Sequence, residues 1–271
     1  MTHQPAPQPA RDDARAQPVV LRHVLFFGAH PDDETVMLGG TLAMLKQRNI
    51  HTHVVCATDG RGGEHGNLPE ASTPEALARV RQGELRCAAD ALGLDSLTLL
   101  GYEDPVVGPG ETLYGFDADD ETLVRQVLDQ IRAVGAEVVL SHGSGGEYGH
   151  PAHVQMHRAV RQAVERHAPH VIFYGVSALV PGIEDRLWNQ DDPAHLLLDI
   201  TPWIERKHAA MLCHRTQHPL FLRRRNLTSV RQAIRTIESF HRFWPPLAPG
   251  QAPDDPFARA LLAAGAVRGP A

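Results

Sequence analysis

Short apolar runs alternate with longer amphipathic stretches through the middle of this chain. Val24-Leu25-Phe26-Phe27, Val54-Val55 and Val138-Val139-Leu140 are unbroken by polar residues, the pattern of strands covered on both faces. The pattern predicts strands over 22–28, 51–57, 96–100, 137–141 and 171–176, with one more over 196–200. Helical spacing predicts helices over 35–47, 74–92, 119–134, 151–167, 202–213 and 227–243. Pro74 and Pro151 suit first helical turns, Gly93 suits a helix stop, and Gly39-Gly40 allows the first helix a close approach to the sheet. Strands alternating with helices define an α/β fold, a doubly wound, mostly parallel sheet with helices on both faces. Ligands in such sheets bind beyond the carboxyl ends of strands, where strand order reverses. With the order 3-2-1-4-5, the loops after the first and fourth strands would meet at that point.

The pattern fades at both ends. Residues 1–20 are rich in Pro, Ala, Gln and charge and read as a disordered tail without the apolar stretch of a secretion signal. Residues 21–244 read as a single catalytic domain, and 245–271 as a C-terminal extension with short helical turns around 257–264. No run of 18 apolar residues predicts a membrane span. A formal net charge of −6 gives no electrostatic footprint for nucleic acid. Cys56, Cys87 and Cys213 form no CxxC pair. Their odd number and wide spacing argue against a disulfide framework and fit a reducing, cytoplasmic setting. Nothing in the pattern excludes a homo-oligomer.

The chemistry concentrates in two clusters. His30-Pro31-Asp32-Asp33-Glu34 follows the first strand, and Tyr148-Gly149-His150-Pro151-Ala152-His153 follows the fourth. His30 and Asp33 are three apart across a turn restrained by Pro31, so both side chains can converge on one ion. His150 and His153 are three apart at a helix start, and His153 is taken as the third ligand. Two His and one carboxylate hold a metal with positions left open, and Asp32 between them is free to move protons. Taken singly, His-Pro-Asp-Asp also suits a helix N-cap. The same ligand set describes an iron oxygenase, or a phosphoesterase on a similar site. The spare carboxylate favours hydrolysis, because a hydrolase needs a base beside activated water. A non-catalytic nucleotide-binding module is disfavoured: the first strand is followed by acids and not by G-x-G-x-x-G. Arg61 in a Gly-rich loop and His142 at the end of the fourth strand are candidate substrate contacts.

These residues resemble the LmbE-like / PIG-L family of zinc-dependent de-N-acetylases. Ala29-His30-Pro31-Asp32-Asp33-Glu34 matches its first motif, and His150-Pro151-Ala152-His153 its second, which is usually His-Pro-Asp-His. Weaker echoes are Thr58-Asp59-Gly60, Arg81-x-x-Glu84 and Lys207…His214-x-x-Gln217, so the likeness runs from about 22 to 220. The resemblance implies a Rossmann-like fold, Zn2+ held by His30, Asp33 and His153, and Asp32 as general base. It implies that His150 stabilises the transition state or protonates the amine, and that Tyr148 hydrogen-bonds the oxyanion. The implied reaction removes the N-acetyl group from an N-acetylglucosamine-type sugar in a small glycoconjugate, using metal-activated water. Ala152 departs from the family's Asp, which leaves His150 the weaker acid near neutral pH unless another residue substitutes.

Overall fold

A computed structural model of the chain describes residues 20–223 and 226–269. The expected disordered tail therefore lies, but for Val20, outside the described residues.

The strands form where the apolar runs fall. β1 (His23–Gly28) leads into α1 (Asp33–Gln47), followed by β2 (His51–Thr58), α2 (Pro74–Leu92) and β3 (Ser96–Tyr102). Then come α3 (Asp120–Val134), β4 (Val138–Ser141), the single turn α4 (Gly146–Gly149), α5 (Pro151–His167) and β5 (Ile172–Val176). Two short strands, β6 (Ala178–Leu179) and β7 (Asn189–Pro193), form a separate two-stranded sheet. β8 (Leu196–Asp199), α6 (Ile204–Cys213), α7 (His218–Arg223), α8 (Val230–Ala233), β9 (Ile237–Trp244), α9 (Pro256–Ala263) and β10 (Val267–Arg268) complete the chain.

The main sheet has the order β10-β8-β9-β5-β4-β1-β2-β3, so its parallel part runs 3-2-1-4-5, the order under which the two loops meet. β1 lies between β2 and β4, with Phe26 opposite Leu140 and Phe27 opposite Ser141. That is where strand order reverses. Val24 and Phe26 enter the core under α1, α2 and α6, while Leu25 and Phe27 enter the core under α3 and α5. Burial on both faces explains the unbroken apolar run.

The helix ends follow their cap residues. Thr73 Oγ1 accepts from Ala76 N at the start of α2, and Gly93 ends it in the left-handed conformation at φ 77°. Gly40 has no room for a side chain: a Cβ there would lie 2.4 Å from Ile200 Cβ. The two glycines thus let α1 approach Ile200 and, at Gly39, Lys207 of α6.

Two expectations need correction. Residues 227–243 do not form one helix: α8 is a single turn and Ile237–Trp244 is a strand. β9 pairs antiparallel with β5 and β8, and these partners override the local helical spacing. Its inward positions also include Glu238 and Ser239, both buried, which hide the alternation that marks a strand. Glu238 accepts from Gly40 N (2.9 Å), Thr41 N (2.7 Å) and buried Lys207 Nζ (2.7 Å). α1 breaks at Leu38 (φ −145°), and Glu238 takes the backbone donors near that kink. Secondly, Cys87 and Cys213 form a disulfide between α2 and α6, which removes the cysteine argument for a reducing setting. Cys56 is the buried free thiol. The C-terminal stretch packs against the sheet: Phe257 and Leu261 of α9 join the core and β10 pairs with β8.

No helix among the described residues is long and apolar enough to cross a membrane.

Candidate metal centre

Pairing of β1 with β4 sets the loops after both strands side by side. His30 Nδ1 lies 3.1 Å from His153 Nε2 and 3.8 Å from Asp33 Oδ2, and His153 Nε2 lies 3.5 Å from Asp33 Oδ1. Tetrahedral ligands about 2.0–2.1 Å from zinc stand about 3.3 Å from one another, so the His30–His153 and His153–Asp33 Oδ1 separations suit a shared ion, while the Asp33 oxygen that His30 meets is the other one, Oδ2. All three side chains are buried.

Their remaining atoms are already engaged. Asp33 Oδ2 accepts from Ala29 N and His30 N, each at 2.8 Å, which leaves Oδ1 turned to His153. His153 Nδ1 donates to Glu147 Oε2 at 2.6 Å, leaving the Nε2 lone pair facing His30. His30 Nε2 faces Asp104 Oδ1 at 3.4 Å, an ion-pair distance without hydrogen-bond alignment. Each of these two imidazoles thus has a carboxylate behind it, the arrangement that fixes tautomer and orientation where histidine binds a metal. Two nitrogen lone pairs and a carboxylate oxygen converge, a donor set that a divalent cation fits.

Asp32 occupies the N-cap position of α1 with φ 133°, a strained conformation for a residue with a side chain, and makes no capping hydrogen bond. The capping alternative therefore does not describe it. Burial raises its carboxyl to about 6, against the pull of Arg81, whose Nη2 stands 3.5 Å away. Buried Arg81 also donates to the carbonyls of Pro31 (2.6 Å) and Gly60 (2.9 Å), bracing the Asp32 turn.

His150 caps α5, its Nδ1 accepting from Ala152 N at 3.2 Å. The proton of the neutral ring is then on Nε2. Burial, with the nearby His30 and His153, pushes His150 down to about 2, so it is a neutral donor at ordinary pH. Ala152 is fully buried, and no carboxylate takes the His150 Nδ1 contact among the described residues. Two sets of possible ligands have one atom from each residue within 4.8 Å of the others: His30 with His150 and His153, and Asp33 with His142 and His153.

Tyr148 is 37% exposed, with Arg186 4.8 Å over its ring. A cavity of about 140 Å³ opens onto Asp32, Asp33, His153 and Tyr148. Met37, Met211, Phe221 and Ile234 form apolar wall, and Asp185 and Arg186 join from the segment between β6 and β7.

Two candidates stand elsewhere. Arg61 bonds Asp59 (Nε to Oδ2, 2.9 Å) and Glu103 (Nη1 to Oε1, 2.7 Å) and does not line this cavity. His142 has no exposed surface and lies behind Asp33 and His153. Its Nδ1 meets Glu147 Oε2 at 3.0 Å and its Nε2 meets Asp33 Oδ2 at 3.2 Å. Burial opposes its charge, but Glu147 and Asp33 outweigh that and push His142 up to about 10.

The weaker motif echoes brace the site. Glu84 accepts from Thr216 N (2.8 Å) and Oγ1 (2.6 Å), Gln217 Nε2 donates to Glu64 O (2.8 Å), and His214 Nε2 meets Glu34 Oε1 at 3.2 Å. Glu147 and Asp104 were missed from the sequence. Glu147 could have been found as the acid directly before Tyr148. Asp104 and the 185–187 segment carry no local signal.

A family model described as GlcNAc-PI de-N-acetylase, PIG-L, matches residues 25–164, and the chain belongs to this family. Among its relatives is the 1D-myo-inositol 2-acetamido-2-deoxy-alpha-D-glucopyranoside deacetylase of Saccharomonospora viridis, 32% identical over 72% of this chain and 84% of that one. Matches to curated relatives span from 45% to 84% of their lengths. Among solved structures, the N,N'-diacetylchitobiose deacetylase of Pyrococcus horikoshii aligns with a TM-score of 0.58 at 20% identity, covering 82% of this chain and 84% of that one. The 4-carboxy-2-hydroxymuconate hydratase GalB of Pseudomonas putida aligns with a TM-score of 0.55 at 24% identity, covering 86% and 100%. Both likenesses are of fold, and a hydratase on the same fold means that the reaction must be argued from the site.

Proposed function

We propose that this chain is a zinc-dependent hydrolase that removes the N-acetyl group from an N-acetylglucosamine-type amino sugar in a small glycoconjugate. The observation that carries this is the convergence of His30, Asp33 and His153 within 3.1–3.8 Å, with Asp32 beside them free of any capping bond. Relatives named as deacetylases of an acetamido sugar support the choice of reaction.

His30, Asp33 and His153 would hold the ion. A divalent ion there supplies Lewis acidity, lowering the pKa of water and polarising an acetamide carbonyl. Asp32 takes the proton of the attacking water, and a carboxyl raised to about 6 is well matched to that task near neutral pH. Arg81 keeps the Asp32 carboxylate from rising further and fixes its turn. His150, neutral with its proton on Nε2, and the Tyr148 hydroxyl donate to the developing oxyanion. Asp32, once protonated, returns its proton to the departing nitrogen. Acetate and a free amino sugar leave.

The test is to incubate the zinc-loaded protein with N-acetylglucosaminyl-inositol and N,N'-diacetylchitobiose and to measure both acetate and free amine. Equal release of the two is expected, abolished by a chelator and restored by zinc. Zinc-loaded protein that liberates neither product from any N-acetylated amino sugar contradicts the proposal.

A further inference from the structure

We infer that Glu147 is a positioning residue that sets the metal affinity of the centre by orienting two of its three ligands, His153 directly and Asp33 through His142. This rests on the metal-centre reading above.

Glu147 reaches both ligands from one carboxylate. Its Oε2 accepts from His153 Nδ1 at 2.6 Å and meets His142 Nδ1 at 3.0 Å. The first contact holds the His153 proton on Nδ1 and turns the Nε2 lone pair toward His30. Through the second, the His142 ring is fixed with Nε2 3.2 Å from Asp33 Oδ2. Asp33 Oδ2 is thereby occupied together with two backbone donors, and Oδ1 is the oxygen left for an ion.

The carboxylate is itself held from behind. Glu147 Oε1 accepts from Gly143 N and Asn189 Nδ2, each at 3.2 Å, and Glu147 N donates to Asn189 Oδ1 at 2.8 Å. Asn189 comes from β7, so the excursion that pairs β6 with β7 anchors the residue behind the ligands. Glu147 adopts φ 60°, ψ −76°, a strained conformation for a residue with a side chain. Its side chain is fully enclosed, and a buried, strained carboxylate with every oxygen engaged is consistent with a demand on its position.

Glutamine at 147 has one acceptor oxygen, and its amide NH2 cannot accept from either imidazole. At least one histidine then loses its partner. Zinc affinity of the whole chain is measured by competition with a chromophoric chelator for wild type, Glu147→Gln and Glu147→Asp, alongside circular dichroism of each metal-free protein. Wild type is expected to bind one zinc. Glu147→Gln is expected to bind about 10- to 100-fold more weakly, and Glu147→Asp, which keeps the charge on a shorter arm, to fall between. A merely structural role would lower the unfolding midpoint of the metal-free protein and leave the affinity of the folded fraction unchanged. Affinity of Glu147→Gln within twofold of wild type overturns the inference alone. If Glu147→Gln does not fold, Glu147→Asp decides, and wild-type affinity there overturns it equally. A wild type that takes up no zinc overturns the metal centre and the inference together.

Discussion

His30 Nδ1 and His153 Nε2 stand 3.1 Å apart although 123 residues separate them in sequence. The contact exists because β1 and β4 are adjacent parallel strands whose carboxyl ends open on the same side. Each ring also has a carboxylate behind it, Asp104 for His30 and Glu147 for His153. The sheet order is therefore part of the chemistry: any other neighbour for β1 would leave two unrelated histidines.

Asp32→Asn removes the proposed base without touching the ligand atoms. The variant is expected to bind zinc as wild type does and to lose about 10²- to 10⁴-fold in kcat. Metal content and acetate release on the same preparation check both halves. Turnover within a few-fold of wild type would remove Asp32 from proton transfer.

Glu238 and Lys207 form a buried ion pair, 2.7 Å apart, that also receives the backbone donors near the kink of α1. Glu238→Ala leaves the ammonium and those donors without a partner. A loss of about 3–5 kcal/mol in unfolding free energy is expected, read by denaturant titration. A loss under about 1 kcal/mol would mean that the pair is not enclosed as described.

The Cys87–Cys213 disulfide closes a loop of 126 residues and ties α2, which carries Arg81 and Glu84, to α6. Replacing both cysteines with serine is expected to destabilise the protein by about 2–5 kcal/mol. Thiol titration under denaturing conditions gives an independent check: without reductant, Cys56 alone should react.

Asp95 supplies a pH dependence away from the centre. Burial would raise its carboxyl, but hydrogen bonds from Lys46 Nζ (2.8 Å), Thr52 N (2.9 Å) and His51 hold it down to about 2. Its folded pKa lies below the unfolded value near 3.9, so its contribution is complete above that value. It is lost as pH falls through about 2. Part of the site is open to solvent, so about 1 kcal/mol is expected. Asp95→Asn should remove that amount at pH 6 and almost nothing at pH 2. Equal losses at both pH values would assign the effect to packing.

What was legible in the sequence follows from how local each signal is. Phe26 and Leu140 sit in unbroken apolar runs because both faces of β1 and β4 are covered, so these strands and their loops could be read directly. His30, Asp32, Asp33, His150 and His153 could be singled out because each cluster is contiguous. β9 could not: Glu238 and Ser239 occupy inward positions for the sake of Lys207, α1 and the Ala178 carbonyl, and their polarity masks the strand. Cys87 and Cys213 meet only because α2 packs on α6. Glu147 and Asp104 support the ligands across turns, where spacing carries no period. The helix 151–167 was legible to its ends because Pro151 opens it.

The central claim is that His30, Asp33 and His153 share one ion. Anomalous scattering at the zinc absorption edge, from crystals of the zinc-loaded protein, tests it most directly. One peak is expected, about 2.0–2.2 Å from His30 Nδ1, Asp33 Oδ1 and His153 Nε2. A peak bound elsewhere on the chain, with these three side chains still in contact with one another and no density between them, would contradict it.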